Sequence, residues 1–253
     1  MKNIAIITGA SSGLGKDFVR QLDSKYELDE IWMIARRKEK MKKLADNLKN
    51  SKGIVIDADL SKREGVSKVI SKLNAEKPKV LFLINSAGFG KIGSFTELEL
   101  DEQLDMIDLN IKALTAMTYG VIPYMPKGSK IIQIASSAAF LPQPGFNVYA
   151  ATKAYVLHFS KALGIELKGK GIDVLAVCPG PVKTEFFKVA SSKGKPLDWK
   201  AKFMVKSKDV VAKALQDSEQ NKMESVYGIP MKLLKLISRM IPHRWILKMF
   251  KWN

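Results

Sequence analysis

A chain of 253 residues with 46% hydrophobic and 26% charged side chains carries enough apolar material for a large core. This excludes global disorder and predicts one domain spanning 1–253, because α/β folds of this length commonly form one unit around one sheet. The formal charge of +17 lies mostly in the second half: residues 1–128 carry 21 basic and 17 acidic side chains, residues 129–253 carry 21 and 8. Such a surface suits a phosphorylated cofactor, anionic lipid, nucleic acid or an acidic carrier protein, and charge alone does not choose among them.

In chain order, Asn3 to Thr8 is a short apolar run that ends in the cluster Gly9, Gly13 and Gly15, which predicts a buried strand turning into a helix. Further strand-like runs follow at Glu30 to Ala35, Gly53 to Asp57, Val80 to Asn85, Lys130 to Ala135 and Ile172 to Cys178. They alternate with helical stretches near 14–25, 37–50, 62–76, 100–122 and 149–168, and a last strand is expected near Val226-Tyr227. Strand and helix in alternation predict a Rossmann-like, doubly wound parallel sheet of seven strands with helices on both faces, its ligands at the carboxyl ends of the strands. The longest uncharged stretch, Ile131 to Thr152, holds Gln133, Ser136, Ser137, Pro142, Gln143 and Pro144. Such groups are not expected inside a bilayer. Cys178 has no partner for an internal disulfide, and Met1 to Ile7 shows no signal-peptide pattern, so a reducing, cytoplasmic setting is expected.

The run Thr8-Gly9-Ala10-Ser11-Ser12-Gly13-Leu14-Gly15 lies at the first strand-to-helix turn. Glycines there allow a tight turn and let a diphosphate approach backbone N–H groups at the positive helix end. An isolated glycine cluster can also be only a turn; its place after the first strand favours a nucleotide. The second strand ends in Ala35-Arg36-Arg37, where a site for NAD would carry an acid on the ribose hydroxyls. Arg36 can clamp a 2′-phosphate and Arg37 can stack or add positive potential, which favours NADP(H). A solvated helix start in the lysine-rich segment 38–43 is the plainer alternative.

Tyr149 and Lys153 are four apart and share a helix face. An ammonium about 4 Å from a phenol contributes roughly 4 kcal/mol at an effective dielectric near 20, or about three pK units, which would bring the phenol towards neutrality as an acid/base requires. Ser136 follows the fifth strand-like run and can hold a substrate oxygen, with Ser137 as its rival and a turn-capping role open to both. Asn110 lies in the apolar helical stretch Met106 to Ala116, where a buried amide needs a partner; a kink, a packing role or a held water are the choices. No metal-ligand spacing surrounds His158, His243 or Cys178, so no metal is expected. A nucleophile elbow and a P-loop are also missing.

Together these residues closely resemble the short-chain dehydrogenase/reductase family from Lys2 to about Thr184. Thr8 to Gly15 is similar to its cofactor loop, Asp59-Leu60 to its adenine-contacting pair, and Asn85-Ser86-Ala87-Gly88 to its N-N-A-G segment, with Ser86 in place of the second asparagine. Asn110, Ser136, Tyr149 and Lys153 match its catalytic tetrad, Ser136 being preferred because it precedes Tyr149 by thirteen residues. Pro179-Gly180 through Val182 and Thr184 match the loop on the nicotinamide amide and phosphates. The resemblance implies hydride transfer from NADPH to a carbonyl, with Ser136 polarising the oxygen and Tyr149 donating the proton. It also implies that Lys153 binds the nicotinamide ribose and that Asn110 holds a water behind it.

The segment 186–206 carries Phe186, Phe187, Trp199, Phe203 and Met204 among lysines, the composition of a lid over a lipophilic carbonyl or alcohol, steroid-like or long-chain acyl. The tail 231–253 is basic and amphipathic, with six basic residues and no acid; its apolar residues recur at helical spacing on either side of Pro242. Closing the pocket, making a homo-oligomer and peripheral membrane contact are its three possible uses. A non-catalytic NADP(H) sensor or scaffold is the competing class, and it would usually lose the tetrad. No nucleic-acid module is visible, so no specific nucleic-acid partner is expected.

Overall fold

The computed structural model describes residues 1–190 and 204–248. Its strands are β1 (Asn3–Thr8), β2 (Glu30–Ala35), β3 (Lys52–Asp57), β4 (Lys79–Asn85), β5 (Lys130–Ile134), β6 (Asp173–Val177), β7 (Val182–Lys183), β8 (Val205–Lys206) and β9 (Glu224–Ser225). Seven of them form one sheet in the order β3-β2-β1-β4-β5-β6-β9, and every pairing is parallel. Ile4, Ala5, Ile6 and Ile7 of β1 are fully buried, because helices cover both sheet faces. The chain winds outward from β1 in both directions, which opens a crevice at the carboxyl ends of β1 and β4.

The helices are α1 (Gly13–Lys25), α2 (Lys38–Ala45), α3 (Arg63–Glu76), α4 (Leu100–Ile107), α5 (Leu114–Val121), α6 (Asn147–Glu166), α7 (Phe186–Ala190), α8 (Ser207–Glu219), α9 (Ile229–Met240) and α10 (His243–Lys248). Phe18, Val19 and Leu22 of α1 pack with Val210, Val211 and Leu215 of α8 on one face of the sheet. On the other face Val69 and Leu73 of α3 meet Met117 and Val121 of α5 and Leu163 of α6. Apolar residues at three- and four-residue spacing put these side chains on the buried stripe of each helix.

Three expected boundaries shift. The helix expected over 37–50 ends at Ala45, because the Asp23 carboxylate accepts hydrogen bonds from the backbone N–H groups of Lys49, Asn50 and Ser51 and bends the chain there. The helix expected over 100–122 is interrupted by a π-helical turn at Asp108–Ala113, and Asn110 sits inside it. The last strand is Glu224–Ser225 rather than Val226-Tyr227, since Ala176 and Cys178 of the β6 region donate to Met223 and Ser225.

Candidate functional site

At the head of the crevice, Thr8 Oγ1 accepts from the N–H groups of Ser86 and Ala87 at 3.0 Å each, locking the end of β1 to the segment after β4. Gly9 has φ +67, and a Cβ on it would stand 2.8 Å from the Ala87 nitrogen. A Cβ on Gly15 would stand 2.4 Å from the Gly9 carbonyl oxygen, so glycine at both positions lets α1 begin against the loop. Ser12 caps α1 in extended backbone without a side-chain hydrogen bond to it. The first N–H groups of α1 are therefore not occupied by Ser12, and the positive end of the helix faces the crevice, a geometry that fits a diphosphate.

Beside this loop the two arginines differ. Arg37 donates to Ser11 Oγ and Ser12 Oγ and pairs with Glu185, whose carboxyl is held down to about 2 by its bonds to Lys40 and Arg37. Arg36 is 73% exposed at the rim and stands 3.8 Å from Asp59, whose carboxylate also accepts from Ser61. Arg36 is thus the freer of the two to meet a phosphate. Asp59 and Leu60 line the same end of the cavity.

At the far end, Tyr149 and Lys153 on α6 are buried, at 7% and 5% exposure, beside Ser136 at the end of the β5 segment. Burial pushes the Tyr149 phenol up to about 12, against a hydrogen bond with Ser136 that lowers it. Burial pushes Lys153 down to about 8. The Lys153 ammonium donates to the Ile134 carbonyl at 2.7 Å and lies 5.7 Å from the centre of the Tyr149 ring. The expected shift of the phenol towards neutrality is not found in the cofactor-free protein: burial raises it, only the Ser136 hydrogen bond acts against that, and the Lys153 ammonium is directed at the Ile134 carbonyl. Phe146 stacks on Tyr149 at 4.2 Å and Phe186 tilts against it at 5.4 Å.

One cavity of about 1230 Å³ joins both ends. Gly9, Ser11, Ser12, Gly13, Leu14, Arg36, Arg37, Asp59, Leu60, Ala87, Gly88, Ser136, Tyr149, Lys153, Pro179, Gly180, Val182 and Thr184 all line it. Gly15, Asn85 and Asn110 do not. The Asn85 side chain, only 3% exposed, donates to Thr118 of α5 and braces the sheet against that helix. Asn110 donates to the Phe89 carbonyl and to Thr152 and accepts from the Phe89 N–H. In the lid segment α7 and Met204 are described, as is the β7–β8 pair at its base; Trp199 and Phe203 lie outside the described residues. Sequence reasoning missed the apolar walls Phe89, Ile92 and Phe146, whereas Met231, Leu234 and Ile237 of α9 line the cavity as one of the three uses considered for the tail would have them. The periodic apolar residues of α9 were the available signal, but only packing shows which face is used. Met231 lies against Gly180, where a Cβ would stand 2.6 Å from its sulfur.

A doubly wound parallel sheet with a glycine loop, a rim arginine, a half-buried serine and a buried tyrosine and lysine on one crevice defines the class of Rossmann-type nucleotide-dependent oxidoreductases. Residues 3–195 match the model of the short chain dehydrogenase family, and the chain belongs to that family. It is 33% identical over 194 residues to sulfoacetaldehyde reductase 2 of Chromohalobacter salexigens, covering 74% of this chain and 75% of that one. It is 34% identical over 197 residues to a very-long-chain 3-oxoacyl-CoA reductase of Anas platyrhynchos; the match covers 74% of this chain and 62% of the length of that reductase. Among solved structures, a short-chain dehydrogenase from Sphingobium yanoikuyae in complex with NADPH matches with a TM-score of 0.80 at 25% identity, over 99% of this chain and 97% of that one.

Proposed function

We propose that this chain reduces the carbonyl group of a lipophilic ketone, or oxidises the matching secondary alcohol, with NADP(H) as its cofactor. The observation that carries this reading is one continuous cavity, polar and arginine-rimmed at one end and walled by Phe89, Ile92, Phe146 and Phe186 around the phenol of Tyr149 at the other. Apolar walls favour a substrate with a large hydrocarbon part, steroid-like or long-chain acyl, over a small hydrophilic carbonyl. The α1 N-terminus and Ser12 suit the diphosphate, Arg36 the 2′-phosphate and Asp59-Leu60 the adenine end, while Lys153 and the Pro179 to Thr184 loop suit the nicotinamide end.

When bound, NADPH supplies the hydride. The protein's own part is to orient the carbonyl and deliver a proton. Ser136 holds the substrate oxygen by hydrogen bonding, and the neutral Tyr149 phenol, kept protonated by burial, donates to it as the alcohol forms. Lys153 stands behind Tyr149 with its charge on the Ile134 carbonyl. Asn110 positions the Phe89 segment and Thr152 of α6, one residue before Lys153.

Membrane contact through the tail and homo-oligomer formation belong to the same reading and are not needed for the chemistry. NADPH oxidation across a panel of ketones graded from small and hydrophilic to steroid-like and long-chain acyl tests it. The lipophilic members are expected to turn over with the higher kcat/KM. A panel in which none reacts overturns the catalytic reading in favour of a non-catalytic NADP(H)-binding protein, and a preference for small hydrophilic ketones overturns the lipophilic one.

A further inference from the structure

Three stripes run side by side along α9. Met231, Leu234 and Ile237 face the cavity. Ile229, Leu233, Leu236 and Met240 face outward, with Ile229 81% and Met240 74% exposed. Lys232, Lys235 and Arg239, three and four residues apart, form a cationic stripe. With about 3.6 residues per turn, the outward apolar ridge lies between the other two. Leu233 and Ile237 belong to both ridge and cavity mouth, lining the cavity while 53% and 37% exposed. Beyond Pro242, Trp245 of α10 adds another apolar side chain, 67% exposed.

The cationic stripe is one wall of a second cleft, of about 360 Å³, between α8, β9 and α9. Lys213, Lys222, Lys232, Lys235 and Arg239 surround Asp217 and Glu224 there. Lys213 and Lys222 pair with Asp217, and Lys161 and Lys235 with Glu224. Both acids are thereby engaged. Lys232 and Arg239 have no ion-pair partner among the described residues, and the sequence contains no acidic residue after Glu224.

We propose that this cleft takes the phosphate headgroups of an anionic bilayer, seating the α9 ridge and Trp245 in the membrane interface so that the cavity mouth opens towards lipid. Cations beside an exposed apolar ridge are complementary to a surface that is anionic at the headgroups and apolar just beneath them. A second copy of the chain fits less well, since a two-fold contact through the ridge would bring two cationic stripes together with no acid on the same helix to offset them. The advantage of a mouth facing lipid rests on the lipophilic-substrate reading above.

The test is sedimentation of the full-length protein with vesicles of phosphatidylcholine alone or with phosphatidylglycerol added, at low salt and without cofactor or ketone. Partition onto the anionic vesicles only, weakened by salt, is expected. Lys232→Gln with Arg239→Gln should weaken it about twenty-five-fold, taking about fivefold for each well-placed basic residue. Leu236→Ser with Met240→Ser should weaken it at least about tenfold. An unchanged thermal midpoint shows that each variant is folded. Wild-type protein remaining in the supernatant overturns the proposal, as does wild-type partition by either double variant. Binding of soluble glycerol phosphate without vesicle partition assigns the cleft to a free phosphate. Self-association lost in Leu236→Ser with Met240→Ser, without vesicle binding, assigns the ridge to a second copy; either result overturns the membrane site. Because no ketone is present, failure here leaves the reductase reading standing, and an inert ketone panel leaves the membrane site standing.

Discussion

Asn110 and the backbone of Phe89 hydrogen-bond in both directions: the amide Nδ2 donates to the Phe89 carbonyl at 2.9 Å and Oδ1 accepts from the Phe89 N–H at 3.1 Å. A third bond runs from Nδ2 to Thr152 Oγ1 at 3.1 Å. One fully buried side chain on the π-helical turn thus fixes both the segment after β4 and the helix that carries Lys153. The amide sits on the local widening of the helix, a feature often found at functional sites.

Replacing Asn110 by Leu should therefore destabilise the chain by about 1 to 3 kcal/mol, because the half-buried Phe89 N–H and carbonyl lose their partner. Thermal unfolding reads this as a drop of roughly 2–4 °C per kcal/mol for a chain of this size. A loss of less than about 0.5 kcal/mol, the range of an ordinary surface substitution, would remove the positioning role.

Lys153 gives a pH signature of defined sign. Its pKa is about 8 in the folded protein against 10.5 as a free side chain. Carrying its charge therefore costs about 3 kcal/mol below pH 8, a penalty that fades as pH rises from 8 towards 10.5. Lys153→Met should raise the melting temperature of the cofactor-free protein at neutral pH, less about 1 kcal/mol for the lost bond to the Ile134 carbonyl. The advantage over wild type should shrink through that alkaline window. If the gap stays constant with pH, the buried-ammonium account is wrong.

Tyr149→Phe should lower kcat by about 10²- to 10⁴-fold while NADPH affinity stays within a few-fold, since the hydroxyl moves the proton but does little to hold the cofactor. In the cofactor-free protein the wild-type minus variant absorbance should show no phenolate until the pH nears 12. Retention of more than about a tenth of the activity would refute the assignment, and a Tyr149 phenolate near neutral pH without cofactor would refute the account in which burial raises the phenol.

The two arginines are separable by cofactor choice. Arg36→Asp should cost NADPH at least about tenfold in kcat/KM relative to NADH, because one charge-assisted bond is worth roughly 1.5 to 3 kcal/mol and the new carboxylate repels the 2′-phosphate. Arg37 already bonds Ser11, Ser12 and Glu185. An unchanged cofactor ratio in Arg36→Asp would move the phosphate contact to Arg37.

The sequence by itself determined the alternation of strands and helices, the glycine loop at the first turn and the shared face of Tyr149 and Lys153. All of these are local or periodic, written in residues a few positions apart. Tertiary packing decided the rest. It sent Asn85 to Thr118 and away from the cavity, bent the chain after Ala45 through Asp23, and laid Met231 of α9 on Gly180 as a cavity wall. It also reversed the expected ionisation of the tyrosine. Spacing places two side chains on one helix face, but desolvation depends on what the remainder of the chain packs around them, and at Tyr149 that burial raises the phenol.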